Sequence, residues 1–394
     1  MGVCITGIGV VSAIGLTVEE NLSSLLSSRS GIAPVSFLPG GRPLLAGEVK
    51  ISNADLQAKL HVAPGYISRT SLLGIQAARE AWGNNKHSDQ LRTGIISATS
   101  VGGMDRSEVF YKDYLAQNRP DFALLKTHDS GSTTERIAQE LGIKGYINTL
   151  STACSSAANS IMLGARLLLQ DKLDRVLVGG TDALTHFTID GFRSLMIYDE
   201  HWCRPFDESR SGLNLGEGAG FLLLENDKSI SFSGNQTICY LNGWANAADA
   251  YHQTASSPEG TGATLAITNA LKKAQMAPVD ITYINAHGTG TKNNDLSESV
   301  ALKNVFGENV PAFSSTKAFT GHTLAAAGAL EAVFSVLSIS KKVIFPNLNY
   351  TTKITETGLE PVTELQDNAA VNAVLSNSFG FGGNNSSLVF SDHE

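Results

Sequence analysis

Ser151-Thr152-Ala153-Cys154-Ser155-Ser156-Ala157-Ala158 follows an apolar extended piece, Tyr146 to Leu150. It opens a run in which Ala158, Ile161, Met162, Ala165, Leu168 and Leu169 fall at helical spacing. Strand, sharp turn and helix is the local structure this predicts. Ser151 or Thr152 would cap the helix and Cys154 would lie in its first turn. Uncommitted backbone N–H groups and the positive end of the helix dipole would then surround the sulfur and favour thiolate over thiol. A thiolate attacks thioesters and departs from them readily, so a Cys so placed suits an enzyme that carries an acyl chain on itself. A buried, inert Cys in a small-residue packing surface fits the stretch equally well. The decision comes from residues far downstream.

Outward from this stretch, Arg175 to Gly180 reads as a continuous apolar strand of the kind buried in a parallel sheet. Thr93 to Thr99 is another, broken by Gly102-Gly103 and followed by a helical region to about Ala116, and Gly218 to Glu225 closes the first half. Val3 to Val11 reads as a strand running into a glycine turn. Its third glycine, Gly15, is off the spacing of a dinucleotide fingerprint and no ribose-binding acid follows, so a nucleotide site is rejected there in favour of close packing or a functional turn. Helical pieces and loops fill about Asn21 to Gln90, with an exposed Gly/Pro segment at 39–43.

After a polar break at Asn226 to Asn235 the pattern restarts. Thr237 to Leu241, Ile281 to Asn285, Ala312 to Ser315, Val371 to Ser376 and Ser387 to Phe390 read as strands, and Thr261 to Lys273 and Gly321 to Ile339 as helices. Alternation of this kind predicts an α/β architecture, here in two similar halves, 1–235 and 236–394. Cys154 in one half and His322 in the other each precede an alanine-rich helix. Small residues let two such helices pack back to back, which would bring the pair together.

The 394 residues are 42% hydrophobic and 17% charged, which describes a compact fold with ample core. A net charge of −8 gives no sign of a nucleic-acid or anionic-membrane partner. No run is read as reaching the roughly 18 apolar residues of a membrane span, and a cytoplasmic location is expected. The four cysteines, at 4, 154, 203 and 239, have no metal-type or disulfide spacing.

Three segments of the second half join Cys154 as candidates. Asn285-Ala286-His287-Gly288-Thr289-Gly290-Thr291 puts a His just past the carboxyl end of a strand, where α/β sheets place ligands, although a His in a glycine turn can serve the backbone alone. Ser315 to His322 carries Lys317 and leads to Glu331; either charge can be a solvated one. His322 at a helix start would be held neutral by the dipole. Ser376-Asn377-Ser378-Phe379-Gly380-Phe381-Gly382-Gly383-Asn384-Asn385 surrounds Phe381 with glycines, which a plain hairpin turn explains poorly.

The combination STACSSA, NAHGTGT, TKAFTGH with a later Glu, and NSFGFGGNN, together with Arg204-Pro205-Phe206-Asp207 and Gly216-Glu217-Gly218-Ala219-Gly220, resembles the β-ketoacyl-acyl carrier protein synthases of the thiolase superfamily, nearest the elongating type II branch. The match runs from Val3 to Phe390. It implies a thiolase-like fold, two pseudo-repeated α/β halves forming five layers α-β-α-β-α.

The implied reaction loads an acyl chain from a carrier protein or coenzyme A thioester onto Cys154. Malonyl-carrier protein then loses carbon dioxide, and the resulting carbanion attacks the bound acyl group. His287 and His322 match the histidines that bond the malonyl thioester carbonyl, with Lys317 supporting them and Glu331 ordering the network. Asn285, Glu331 and Asn377 match a site for a structural sodium or potassium ion. No cofactor is required, since phosphopantetheine comes on the carrier protein, its arm bonded by Thr289 and Thr291. The N–H groups of Cys154 and Phe381 match the oxyanion hole, and the Phe381 side chain a gate.

The resemblance also implies a homodimer and a docking acyl carrier protein, and places Met162, Phe192 and Phe187 among the residues that would line an acyl pocket. Some positions depart from the family. Thr70-Ser71-Leu72-Leu73 follows Ser68-Arg69 where further basic residues are usual, Met196 stands for a basic residue and Ser211 for an Asp. The basic surface for an acidic carrier is thus thinner or moved, to Arg69 and Arg193, which points to a dedicated polyketide or polyene pathway as readily as to fatty-acid synthesis. A chain-length-factor-like partner would lack the nucleophile, and a thiolase would carry a second Cys after Cys239; this chain does neither.

Overall fold

The computed structural model describes residues 2–38, 44–63, 65–86 and 88–394; the Gly/Pro segment at 39–43 lies outside them. Ten strands form one sheet: β1 (Val3–Val11), β2 (Thr93–Ala98), β3 (Tyr146–Leu150), β4 (Arg175–Asp182), β5 (Gly218–Glu225), β6 (Cys239–Ala248), β7 (Tyr283–Asn285), β8 (Ala312–Ser314), β9 (Ala373–Gly380) and β10 (Asn384–Ser391). Their order is β8-β7-β9-β10-β6-β1-β5-β4-β2-β3. The first five strands run β3-β2-β4-β5-β1 from the edge inward and the second five run β8-β7-β9-β10-β6, the same path repeated. Directions repeat too: β2 is parallel to β3 and β4 as β7 is to β8 and β9, and the remaining pairs in each set are antiparallel. A short antiparallel seam, Val3 to Ile5 against Leu241 to Cys239, joins the two.

Helices α1 (Arg69–Trp82) and α2 (Ser130–Leu141) cover the outer face of the first five strands, with α1 against β1, β4 and β5. Helices α3 (Ser156–Leu169) and α4 (Ala327–Lys341) lie between the two sets of strands and carry the largest core cluster. Helices α5 (Thr261–Ala274) and α6 (Lys292–Phe306) cover the outer face of the second set. Read across the molecule, the layers are α-β-α-β-α, as the resemblance implies.

Two close approaches depend on missing side chains. β1 spans Val3–Val11 as the sequence predicts, with an irregularity in its pairing between Ile5 and Gly7, and its glycines serve close packing: each lies against α1, where a Cβ would come within 2.1 Å of the Ala81 carbonyl at Gly7 and 2.0 Å of the Ala77 carbonyl at Gly9. Gly328 of α4 similarly touches α3, where a Cβ would sit 3.1 Å from the Ala158 nitrogen and 3.2 Å from its Cβ. The two small-residue helices are packed together as the sequence pattern predicts.

The Leu324–Lys341 stretch is long and apolar enough to cross a membrane, contrary to the expectation that no run is. It is 89% buried, the central helix of the core. That burial accounts for its composition.

Candidate active site

Cys154 lies at an elbow, not in a helix turn. α3 begins at Ser156, two residues later, and Ala153 takes the left-handed φ of 53°. Ser156 ties the elbow: its Oγ accepts from the Thr152 N–H at 2.7 Å and its own N–H donates to the Ala153 carbonyl at 3.1 Å. Gly380, ending β9, lies where a Cβ would be 3.1 Å from the Cys154 nitrogen. This approach aims two backbone N–H groups, those of Phe381 and of Cys154 itself, at the sulfur.

The expected thiolate is not the resting form. Burial pushes the Cys154 thiol up to about 11, against the pull of Lys317 and the Phe381 N–H. Desolvation of an anion outweighs a dipole that the elbow leaves two residues away.

His322 reaches the same point from the other half, with Nε2 3.1 Å from Cys154 Sγ. Its backbone is clamped on both sides: its N–H donates to the Asn214 carbonyl at 2.8 Å, and the Gly216 N–H donates to its carbonyl at 2.9 Å. Gly216 allows this, since a Cβ there would fall 2.2 Å from the Thr320 carbonyl. The Gly216-Glu217-Gly218 motif therefore positions the histidine. Glu217 also takes the Arg69 guanidinium, at 2.8 Å to Nε and 2.6 Å to Nη2.

His287 follows β7, and its ring stands edge-on to that of His322, centroids 5.3 Å apart. Two acids of α6 that stand in no distinctive sequence motif hold its loop. Glu298 accepts from the N–H groups of His287 (2.9 Å) and Gly288 (2.8 Å), and Asp295 from those of Thr289 (2.9 Å) and Gly290. Their signal is the i, i+3 spacing of two acids on a helix face that turns out buried. Burial raises Glu298 to about 7, opposed by those N–H donors.

Lys317 is buried beside His287. Its Nζ donates to the His287 carbonyl at 2.5 Å, lies 3.1 Å from His287 Nδ1, and pairs with Glu331, which burial raises to about 7 against the pull of Lys317. Both histidines are held well below their ordinary pKa, first by burial and then by Lys317, so both are neutral. The helix dipole is not the cause for His322, because α4 begins only at Ala327.

The cluster Cys154, His287 and His322 has its donor atoms within 4.8 Å of one another, a spacing that would suit a metal. The hydrogen bonds argue otherwise. A metal-bound His usually donates from its other nitrogen, whereas here each Nδ1 accepts: from Lys317 Nζ at His287, and from the Leu324 N–H (3.3 Å) at His322. Each Nε2 therefore carries the proton. The site presents two neutral N–H donors beside a buried thiol.

A cavity of about 300 Å³ opens onto this group and is lined by Phe192, Met196, Thr289, Thr291 and Phe381 among others. Thr289 and Thr291 hydroxyls bond one another at 2.9 Å. Phe381 stacks on Phe192, centroids 5.6 Å apart, and its loop is held by the Gly382 N–H on the Gln253 carbonyl (2.7 Å) and the Asp249 N–H on the Gly383 carbonyl (2.9 Å). Phe192 thus lines the cavity. Phe187 instead lines a separate open groove with Met104 and Tyr111, and Met162 is in the core.

Of the cation set, Asn285 is fully buried with both amide atoms lacking partners among the described residues, and Glu331 Oε2 is likewise buried without one there. Orphaned oxygens of this kind fit a monovalent cation. Asn377 fits less well, its Nδ2 donating to Glu298 at 3.1 Å and its Oδ1 accepting from Ser387 at 2.8 Å.

Arg69 is not a docking residue. It is 7% exposed, bound to Glu217, to Asn53 and to the carbonyls of Val49 and Ile51. Arg193 is at the surface but paired with Glu200 at 3.0 Å.

The model for the β-ketoacyl synthase N-terminal domain matches residues 1–229, and that for the C-terminal domain matches 238–351. A protein named 3-oxoacyl-[acyl-carrier-protein] synthase 2 from Staphylococcus aureus (strain N315) is 35% identical, covering 100% of this chain and 98% of its own; one of the same name from Synechocystis sp. is 32% identical over the same shares. Among solved structures, the ishigamide ketosynthase/chain length factor superposes with a TM-score of 0.92 at 30% identity, covering 100% of this chain and 99% of that one. A type II polyketide acyl-carrier protein in complex with its ketosynthase, AntDE:AntF, gives 0.89 at 26%, covering 99% of each chain. With the duplicated sheet, the elbow cysteine and its two histidines already in place, these matches show that the chain belongs to the β-ketoacyl synthase family.

Proposed function

We propose that the chain is a 3-oxoacyl-acyl carrier protein synthase that performs a decarboxylative condensation on Cys154. The observation that carries this is the sulfur 3.1 Å from His322 Nε2, with a second imidazole beside it and a donor on each Nδ1 that leaves the ring proton to Nε2. In the first half-reaction Sγ bonds the acyl carbonyl carbon and the carrier's thiolate leaves, taking up the thiol proton. In the second, the malonyl carboxylate departs as carbon dioxide and leaves its electron pair in an enolate. The enolate carbon attacks the Cys154 thioester, the C–S bond breaks, and the freed thiolate takes a proton from solvent.

His287 and His322 donate to the malonyl thioester oxygen as it becomes an enolate. Fixed donors in a dry site act where charge develops, and a single one is worth about 3 kcal/mol. Neutral donors suit this step, since they do not hold the substrate carboxylate in place as a cation would. The N–H groups of Cys154 and Phe381 do the same for the tetrahedral intermediate. Thr289 and Thr291 receive the phosphopantetheine arm, and the partner is an acyl carrier protein presenting acyl and malonyl thioesters. Asn285 and Glu331 would hold a sodium or potassium ion, which would supply fixed positive charge within the Lys317 and Glu331 network.

We also propose division into the halves 1–235 and 236–394, a cytoplasmic location, and a homodimer. The dimer is supported by β3, a sheet edge with Tyr146 and Ile147 exposed.

Intact mass after incubation with acyl-carrier protein tests the reading. An acyl adduct on wild type, absent from Cys154→Ala and discharged to a 3-oxoacyl product when malonyl-carrier protein is added, is the expected result. A folded protein with no adduct from any donor would overturn it in favour of a partner without catalysis of its own.

A further inference from the structure

Asp182 is the last residue of β4, fully buried, and has no part in the chemistry above. Its carboxylate gathers donors from both halves of the molecule. From the first half it accepts from Thr99 Oγ1 at 2.5 Å and from the N–H groups of Ser100 and Val101, both at 3.0 Å; from the second it accepts from the Ala325 N–H at 2.8 Å. Ala325 belongs to the 3-10 turn Leu324–Ala326 between His322 and α4.

That turn is unusual in two respects. Leu324 has a φ of 53°, a left-handed conformation that a Leu adopts only under constraint. Its N–H donates to His322 Nδ1 at 3.3 Å, the bond that leaves the ring proton on Nε2. Gly180, two residues before Asp182 on the same strand, lets the turn come down onto the sheet, since a Cβ there would lie 3.2 Å from the Ala325 carbonyl and 3.0 Å from Ala157 Cβ. The Asp182 carboxylate is thus the anchor on the Ala325 nitrogen, one peptide from the group that sets the His322 tautomer.

We propose that Asp182 is a positioning residue that fixes the His322 tautomer: by holding the Leu324–Ala325 peptide it keeps the Leu324 N–H on Nδ1 and the proton on Nε2, facing Cys154 and the incoming thioester oxygen. The inference rests on the condensing reading. If wild type condenses acyl and malonyl thioesters, that reading stands, and the variants below test Asp182 alone.

The experiment compares wild type with Asp182→Asn, Asp182→Glu and Thr99→Val, using steady-state condensation and the ring 15N shifts of labelled histidine. An amide at 182 offers one acceptor in place of two, so the turn is released. Asp182→Asn is expected to lower kcat about 100-fold with KM for malonyl-carrier protein unchanged, and to move His322 from the Nε2–H pattern toward a mixture of tautomers. Asp182→Glu, which keeps both acceptors, restores most of the Nε2–H pattern and of kcat. Thr99→Val removes a different bond to the same carboxylate and leaves both readouts as in wild type.

The assignment is overturned if Asp182→Asn keeps its kcat or its Nε2–H pattern, or if Thr99→Val loses as much. Should Asp182→Asn fail to fold, the Glu variant decides: a loss of kcat with His322 still wholly Nε2–H overturns it.

Discussion

Burial, more than the helix dipole, sets the chemistry of Cys154. A thiol raised to about 11 is almost wholly protonated near neutrality, so its thiolate fraction grows tenfold per pH unit until that value is reached. Alkylation by iodoacetamide should therefore climb steadily from pH 6 to 10 without a plateau. A fast, pH-independent rate below pH 8 would show a resting thiolate and contradict this. Lys317 and Glu331 make the second residue-scale prediction. Removing one partner of a buried ion pair strands the other, at a cost of about 3–5 kcal/mol. Lys317→Ala should lower the urea midpoint strongly, and adding Glu331→Ala should recover part of the loss; an additive double variant would argue against the pairing. Cys154, His287, His322 and Lys317, which the fold brings together, were legible because each stands in a distinctive short motif. Asp295, Glu298 and Asp182 were not, because a buried acid that gathers backbone N–H groups has the same sequence appearance as a solvated one.

Elements were legible where hydrophobic period and glycine agreed. β3 and β5 fall where their apolar runs place them, and the pairing of α3 with α4 follows from their small residues. The disagreements come from backbone geometry that no pattern records: the elbow at Ala153 and the 3-10 turn that delays α4 to Ala327. Gly9 and Gly191 separate the two uses of glycine. Gly9→Ala would drive a methyl into the Ala77 carbonyl and should abolish or severely weaken folding. Gly191, exposed within the helix His186–Ser194, has nothing among the described residues within 4 Å of its Cβ position. Gly191→Ala should stabilise by about 0.5–1 kcal/mol, since a helical Gly costs that much relative to Ala. Thermal unfolding of both variants checks the pair, and equal effects would contradict the account.

At the scale of the whole molecule, duplication explains why the site exists where it does. Each half contributes a strand, a turn and a small-residue helix to the centre, and Cys154 meets His322 because those helices are packed face to face. The repeat was legible in the order of elements despite weak identity between the halves; the docking surface was not, because whether an Arg faces solvent or a buried Glu217 depends on the fold. The β3 edge carries the assembly prediction. Ile147→Lys should convert a dimer to a monomer in analytical ultracentrifugation; a wild type that is already monomeric would mean that this edge awaits a different chain.

The central claim is that two neutral imidazoles beside a buried thiol drive decarboxylation into bond formation. Its most direct test is carbon dioxide released per 3-oxoacyl product by the purified protein with acyl- and malonyl-carrier protein. One carbon dioxide per product in wild type, with product abolished in Cys154→Ala and slowed at least about 100-fold in His287→Ala, is the predicted result. Product formed at an undiminished rate by His287→Ala, or no product from wild type that accepts an acyl chain, would contradict it.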